Sequence, residues 1–218
     1  MIPIVAPEPT DRSRKAAILV AAQPVFMRYG YRKTSMDDVA KAAGVSRQGL
    51  YVHFASKEDL FRDMIDQALR LHLREARAAL ANEVHPISQR LIAALTEWFG
   101  DRDKLGTDSD LPQASIQIAG EIIRGHFEQF RTEICRAIEN SELMPVYGAR
   151  GISATDITST LLATSQGINS MASSETFIAR VSVAIVILTA PCSPATTGKP
   201  PHPIASPYRS PTAGKKAR

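Results

Sequence analysis

The stretch from Ser35 to Ser56 constrains this chain more than any other part of it. Ser35, Ser46 and Ser56 each stand where a helix is about to begin, all within 22 residues. A serine at an N-cap offers its oxygen to the free N–H groups of the first turn. Asp38 makes a short-armed capping box with Ser35, and Asp59 follows Ser56 at the same spacing. The pattern predicts a short helix over 36–43, a second over 47–54, and a third from residue 57. Between the first two lies only Ala43-Gly44-Val45-Ser46, where Gly44 supplies the left-handed backbone of a tight turn. Ala40 is small enough for close helix contact, and Val39, Val45 and Leu50 fill the space between. Two helices joined through so short a glycine turn carry the signature of a helix-turn-helix.

The second of these helices opens with Arg47 and Gln48. Arginine suits guanine in the major groove and glutamine suits adenine. Gly49 weakens the helix by ~1 kcal/mol relative to alanine, and lets the backbone approach a base edge or sugar closely. Tyr51 and His53 are polar-tipped aromatics suited to phosphate. Lys57 opens the next helix, where free N–H groups already favour an anion. Plainer readings exist beside these: Arg47 and Gln48 as a solvated helix start, Tyr51 as packing between helices, His53 as a surface histidine.

Apolar residues recur at helical spacing along the rest of the chain, and no strand pattern or internal repeat interrupts them. Residues 1–10, with three prolines, read as a flexible arm. A helix begins near Asp11 or Ser13, with Ile18, Ala21, Ala22, Val25 and Phe26 on one face. Pro24 predicts a kink in it, and Gly30 its end. Further helices are expected over 57–82, 86–99, 111–124, 126–141, 156–171 and 175–188, with loops over 100–110 and 144–151. Residues 191–218 hold seven of the fourteen prolines and read as a disordered basic tail. That tail is either a passive extension or a non-specific phosphate contact.

Charge follows the same division. The net charge is +5 over 1–57, −6 over 58–190 and +5 over 191–218. A basic end and an acidic body fit a polyanion-binding unit carried on a neutral or acidic support, and argue against a membrane-surface protein. The longest apolar runs fall short of the roughly 20 residues of a membrane helix. With no leader pattern at the start, a soluble, reducing, cytoplasmic setting is expected.

Two cysteines, Cys135 and Cys192, cannot build a disulfide framework, and Cys135 reads as a buried inert thiol on an apolar face. The five histidines show no metal-ligand spacing. No cofactor loop or nucleophile elbow is present, so neither a metal, a cofactor nor an enzyme is expected.

Trp98 and Phe99 close the helix over 86–99 and read either as core or as the wall of an apolar effector pocket. Ile157, Leu161, Ser165 and Ile168 form one stripe near the end of the chain. Phe177, Val181, Ile185 and Leu188 form another, with Val183, Val186 and Ile187 around them. A helix apolar nearly all round is buried on more than one side, which a dimer interface or an intramolecular core can satisfy.

The motif residues themselves carry a resemblance. They are Phe26, Tyr29-Gly30-Tyr31, Thr34-Ser35-Met36, Val39-Ala40, Ala43-Gly44-Val45-Ser46, Leu50-Tyr51, His53-Phe54 and Ser56-Lys57-Glu58-Asp59-Leu60-Phe61. Residues from about Arg12 to Met64 resemble the N-terminal domain of the TetR family of transcriptional regulators. The resemblance implies an all-α fold, with a three-helix helix-turn-helix domain over 11–56 joined to an antiparallel helical ligand-binding and dimerisation domain over 57–190. It implies that Thr34 and Ser35 contact DNA phosphate besides any capping. Arg47, Gln48 and Gly49 face the groove, and Tyr51, His53 and Lys57 hold the backbone. It further implies a homodimer on a palindromic operator, a repressor released by a small apolar or amphipathic effector. Two other readings stand beside it: a constitutive regulator without effector, and a small-molecule-binding helical module with weak DNA binding.

Overall fold

The computed structural model describes residues 11–100, 110–171 and 173–190. The expected arm (1–10), most of the loop at 100–110, the tail (191–218) and Cys192 lie outside the described residues. The described residues form nine helices: α1 (Asp11–Lys33), α2 (Met36–Ala42), α3 (Arg47–His53), α4 (Lys57–Ala81), α5 (Ile87–Phe99), α6 (Leu111–Glu139), α7 (Met144–Gly148), α8 (Ala154–Met171) and α9 (Ser174–Thr189). No helix among them is long and apolar enough to cross a membrane.

The local signals of the N-terminal segment act as their chemistry dictates. Ser35 and Asp38 form the full capping box of α2, Ser46 accepts from the Gly49 amide, and Ser56 accepts from the Asp59 amide. Gly44 takes φ 65 in the turn between α2 and α3. The backbone of α1 leaves helical angles at Gly30 (φ 80, ψ 171), where its end was expected; the kink expected at Pro24, which points to solvent, does not occur.

Two apolar cores follow. The first joins Ile18, Ala22 and Phe26 of α1 to Val39, Leu50 and Phe54, and to Leu60, Phe61 and Met64 from the start of α4. Phe26, Tyr31 and Phe61 meet there as an aromatic trio, with ring centroids 5.0 Å apart for Phe26–Phe61 and 4.9 Å for Tyr31–Phe61. The second core takes Leu73, Ala76 and Leu80 from the far half of α4, and packs them with α5, α8, α9 and the C-terminal half of α6. Leu111 and Ala114, at the start of α6, belong to the first core and not to the second. Two helices, α4 and α6, therefore run through both cores.

Helix α6 was expected as two, broken at Gly125. It is one helix, and its backbone departs from helical angles at Ala119 (φ −126, ψ 17), between its two sets of core residues. There the Arg62 side chain of α4 donates to the Ile118 carbonyl at 3.4 Å, a donor supplied where the ladder is interrupted. Further along, His126 of α6 contacts Asp66 of α4 at 2.7 Å. Gly125 faces outward, where a helix tolerates glycine at a modest cost. The expected loop at 144–151 contains the short α7, and Gly151 (φ 74) closes it.

Gly30 also shows how tightly the N-terminal segment is tied to α6. The Asp110 carboxylate accepts from the Tyr31 amide at 2.7 Å and the Arg32 amide at 3.0 Å. A β-carbon on Gly30 falls 2.4 Å from Asp110 Oδ1, whereas one on Gly44 meets nothing within 4 Å. Both glycines have positive φ, which costs an L-residue about 1–2 kcal/mol. Gly44→Ala is expected to cost about that and no more. Gly30→Ala adds the collision, and its melting temperature is expected to fall further, by roughly 4–8 °C in all for ~2 kcal/mol or more. Equal shifts in parallel thermal melts of the two variants count against the contact.

Candidate nucleic-acid interface

At the start of α3, Arg47 and Gln48 are exposed, with Gly49 behind them. The Ser46 cap fixes where this turn begins, because its hydroxyl accepts from the Gly49 amide at 2.9 Å. Leu50, wholly buried, anchors the opposite side of the helix. Arg47 lies over the Tyr51 ring, 5.8 Å from its centroid, and pairs with Asp37 of α2 at 3.1 Å. Hydrogen bonding to the Tyr51 hydroxyl, with the Asp37 charge second, keeps the guanidinium more firmly cationic than usual. Arg47, Gln48 and the half-exposed Tyr51 thus form an exposed row along the start of α3. Ser35 is exposed at the edge of the same unit, its hydroxyl donating to Asp38 Oδ2 at 2.6 Å.

Three other residues expected to contact phosphate are placed differently. Thr34 is 1% exposed, and its hydroxyl donates to the Gly30 carbonyl at 2.7 Å. That group closes the end of α1 and does not face outward. His53 is largely buried, with Nδ1 3.1 Å from Asp11. Lys57 turns inward as well: its Nζ donates to the Tyr31 and Thr34 carbonyls, each at 3.0 Å, and lies 4.4 Å from the centre of the Tyr31 ring. A cation at the first residue of a helix opposes the helix dipole, whereas carbonyls at the end of α1 attract it. The lysine serves as a tie within the unit. Asp37 and Asp110 were not singled out in the sequence. Asp110 is separated from its partners by 78 and 79 residues, and no local pattern marks such a pair.

In the body, Trp98 stacks flat on Phe130, with centroids 4.5 Å apart, and also meets Phe127. Phe99 touches Phe130 and Phe177. Both belong to an aromatic group packed against the second core. Cys135 is only half-buried, 3.8 Å from the Thr155 hydroxyl, which corrects the expectation of a buried thiol.

The stripes assigned to a dimer interface need the same kind of correction. Ile157, Leu161, Ser165, Phe177, Val181 and Ile185 are buried within a single chain, and Ile168 and Leu188 are partly buried against them. They are occupied by the intramolecular core, because α8 and α9 pack on each other, on α6 and on α5. The opposite side of α9 is left open: Val183, Val186 and Ile187 are 60%, 58% and 69% exposed. On α8 the small residues Thr160, Ala163, Thr164 and Gly167 are exposed.

This fold and this site define a helical protein with an N-terminal helix-turn-helix unit. Residues 18–64 match the family described as bacterial regulatory proteins, tetR family. The chain is 44% identical over 102 residues to the HTH-type transcriptional regulator YfiR of Bacillus subtilis, covering 46% of this chain and 49% of that protein. It is 35% identical over 91 residues to the HTH-type transcriptional repressor BepR of Brucella suis, covering 40% and 44%. The matches thus span about half the length of these curated relatives. A TetR-family transcriptional regulator from Agrobacterium tumefaciens superposes with a TM-score of 0.57 at 21% identity, over 82% of this chain and 99% of that one, a likeness of fold alone. Over residues 18–64 the N-terminal unit of this chain thus matches the TetR family of helix-turn-helix transcriptional regulators.

Proposed function

We propose that the protein is a ligand-responsive transcriptional repressor that binds a palindromic operator as a homodimer. The observation that carries this reading is the outward row of Arg47, Gln48 and Tyr51 at the start of a rigidly capped α3. Arg47 and Gln48 read base edges, Gly49 permits close approach, and Tyr51 and Ser35 meet phosphate. Thr34, His53 and Lys57 act one step back, by shaping the unit. A relative whose name calls it a repressor supports the sign of regulation.

The homodimer rests on the open faces of α8 and α9. The effector's place is in the body near Trp98 and Phe99, where a ligand opens the Trp98–Phe130 stack. The alternative is a regulator without effector, in which the same stack is plain core packing. A thermal-shift screen with small apolar and amphipathic compounds separates the two, since a ligand of the folded state raises the melting temperature.

Selection of bound duplexes from a random pool by the purified protein, at near-physiological salt, tests the DNA reading. An enriched palindrome is expected; purely salt-sensitive bulk binding, with no enrichment, defeats it. The Arg47–Asp37 pair adds a finer expectation. Arg47 must exchange Asp37 for the DNA, and an exposed ion pair holds it by only about 0–1 kcal/mol. Asp37→Asn releases Arg47 and removes a negative charge from the approach, so affinity is expected to rise by roughly three- to tenfold at low salt and less at high salt. Unchanged binding in a salt titration leaves Asp37 without this role.

A further inference from the structure

We propose that Asp110 is the positioning residue through which the helical body orients the helix-turn-helix unit, an inference that rests on reading that unit as the DNA-contacting part.

An aspartate at the N-cap ordinarily accepts from its own helix. Asp110 precedes α6 and makes no such side-chain cap. Its carboxylate crosses instead to the Tyr31 and Arg32 amides, with the Arg32 guanidinium 3.7 Å away. Burial pushes this carboxyl's pKa up; the two amide bonds and the Arg32 charge overcome that and hold it below the usual aspartate range. From the other side, the Lys57 ammonium takes the Tyr31 and Thr34 carbonyls. The backbone from Gly30 to Thr34 is therefore gripped between an anion carried by α6 and a cation carried by α4. That backbone leads directly into Ser35, the cap of α2, so its path sets the direction of α2 and, through Gly44, of α3.

The packing of α6 gives the grip a lever. Leu111 and Ala114 are embedded in the first core, whereas Phe130, Ile134 and Ile138 are embedded in the second. The helical angles are lost between them, at Ala119. Residues 110–118 thus move with the DNA-contacting unit and residues 120–139 with the body. Any rearrangement of the body that changes the bend at Ala119 pulls on the Asp110 carboxylate. This route is separate from α4, and by reciprocity DNA binding must be felt along it in return.

The test uses the full chain with Asp110→Ala and Asp110→Asn, and hydrogen exchange read with and without the palindromic duplex selected by the unaltered protein. In Asp110→Ala, amide exchange at residues 30–34 is expected to quicken, and affinity for the duplex to fall, each by roughly tenfold for the loss of two charge-assisted bonds. Asp110→Asn keeps one carbonyl oxygen and is expected to fall between. In the unaltered protein the duplex slows exchange in residues 111–118; in Asp110→Ala that transmission is lost, while residues 57–64 still respond. General loss of fold quickens every peptide alike and is absent from Asp110→Asn. Wild-type affinity in Asp110→Ala, with protection still reaching 111–118, overturns the inference. Should the unaltered protein select no duplex, the DNA reading fails by itself. Exchange at 30–34 in the free variant then decides this one, and an unchanged rate overturns it.

Discussion

Arg47→Ala is expected to abolish selective binding to the chosen palindrome while leaving weak, salt-sensitive binding to any duplex. A bidentate arginine contact to a base is worth about 1–3 kcal/mol of discrimination. In a two-fold complex the loss occurs at both half-sites, so affinity is expected to fall by roughly 30-fold or more. The folded state should hardly notice, because Arg47 is exposed and its pair with Asp37 joins two solvated groups. Arg47→Lys keeps the charge and loses the planar fork. Recovery of non-specific binding without recovery of base preference marks a base contact. Full recovery by lysine marks a phosphate contact instead, which moves the reading of sequence to Gln48. Gln48→Ala is expected to relax preference at a single adenine step with little change in salt dependence. If neither substitution changes the sequence preference in a competition assay, α3 does not read this DNA.

What could be read along the chain was whatever its own neighbours determine. Ser35 with Asp38, Ser46 and Ser56 find their partners within one turn, so their spacing is enough to place α2, α3 and α4. Gly44 is of the same kind. The failures lie where a distant partner decides. Thr34 and Lys57 look like surface groups, but the end of α1 folds over them and supplies carbonyls. Pro24 falls on the open side of α1, and the departure from helical angles comes at Gly30, opposite the Asp110 carboxylate. The break in α6 comes at Ala119, where the helix passes from one core to another and meets Arg62, and not at Gly125, which meets only solvent. Periodicity separates the faces of a helix but does not say which face its own chain will cover. In α9 both are apolar: Phe177, Val181 and Ile185 turn inward, and Val183, Val186 and Ile187 turn out.

That outward face leads to the second large effect. Val183→Glu with Ile187→Glu is expected to yield a folded monomer. The two positions are one helical turn apart on the exposed side of α9, so the carboxylates remain hydrated in the isolated chain and its helicity should be unchanged. In a two-fold dimer through α8 and α9 each change occurs twice and close to the axis. An unpaired charge held in an apolar contact costs about 3–5 kcal/mol, and the lost apolar burial adds roughly 1.5–3 kcal/mol per side chain. The dimer dissociation constant is therefore expected to rise by at least about a hundredfold. Sedimentation velocity across micromolar concentrations reads this directly. Binding to the full palindrome should weaken with it, since two recognition helices are no longer held one DNA turn apart. Binding to a half-site should survive, because the capped α2–α3 unit lies in the other core. A dimer that persists at low micromolar concentration places the interface elsewhere. A monomer that still binds the full palindrome as tightly as before shows that the two-fold arrangement is not what joins the half-sites.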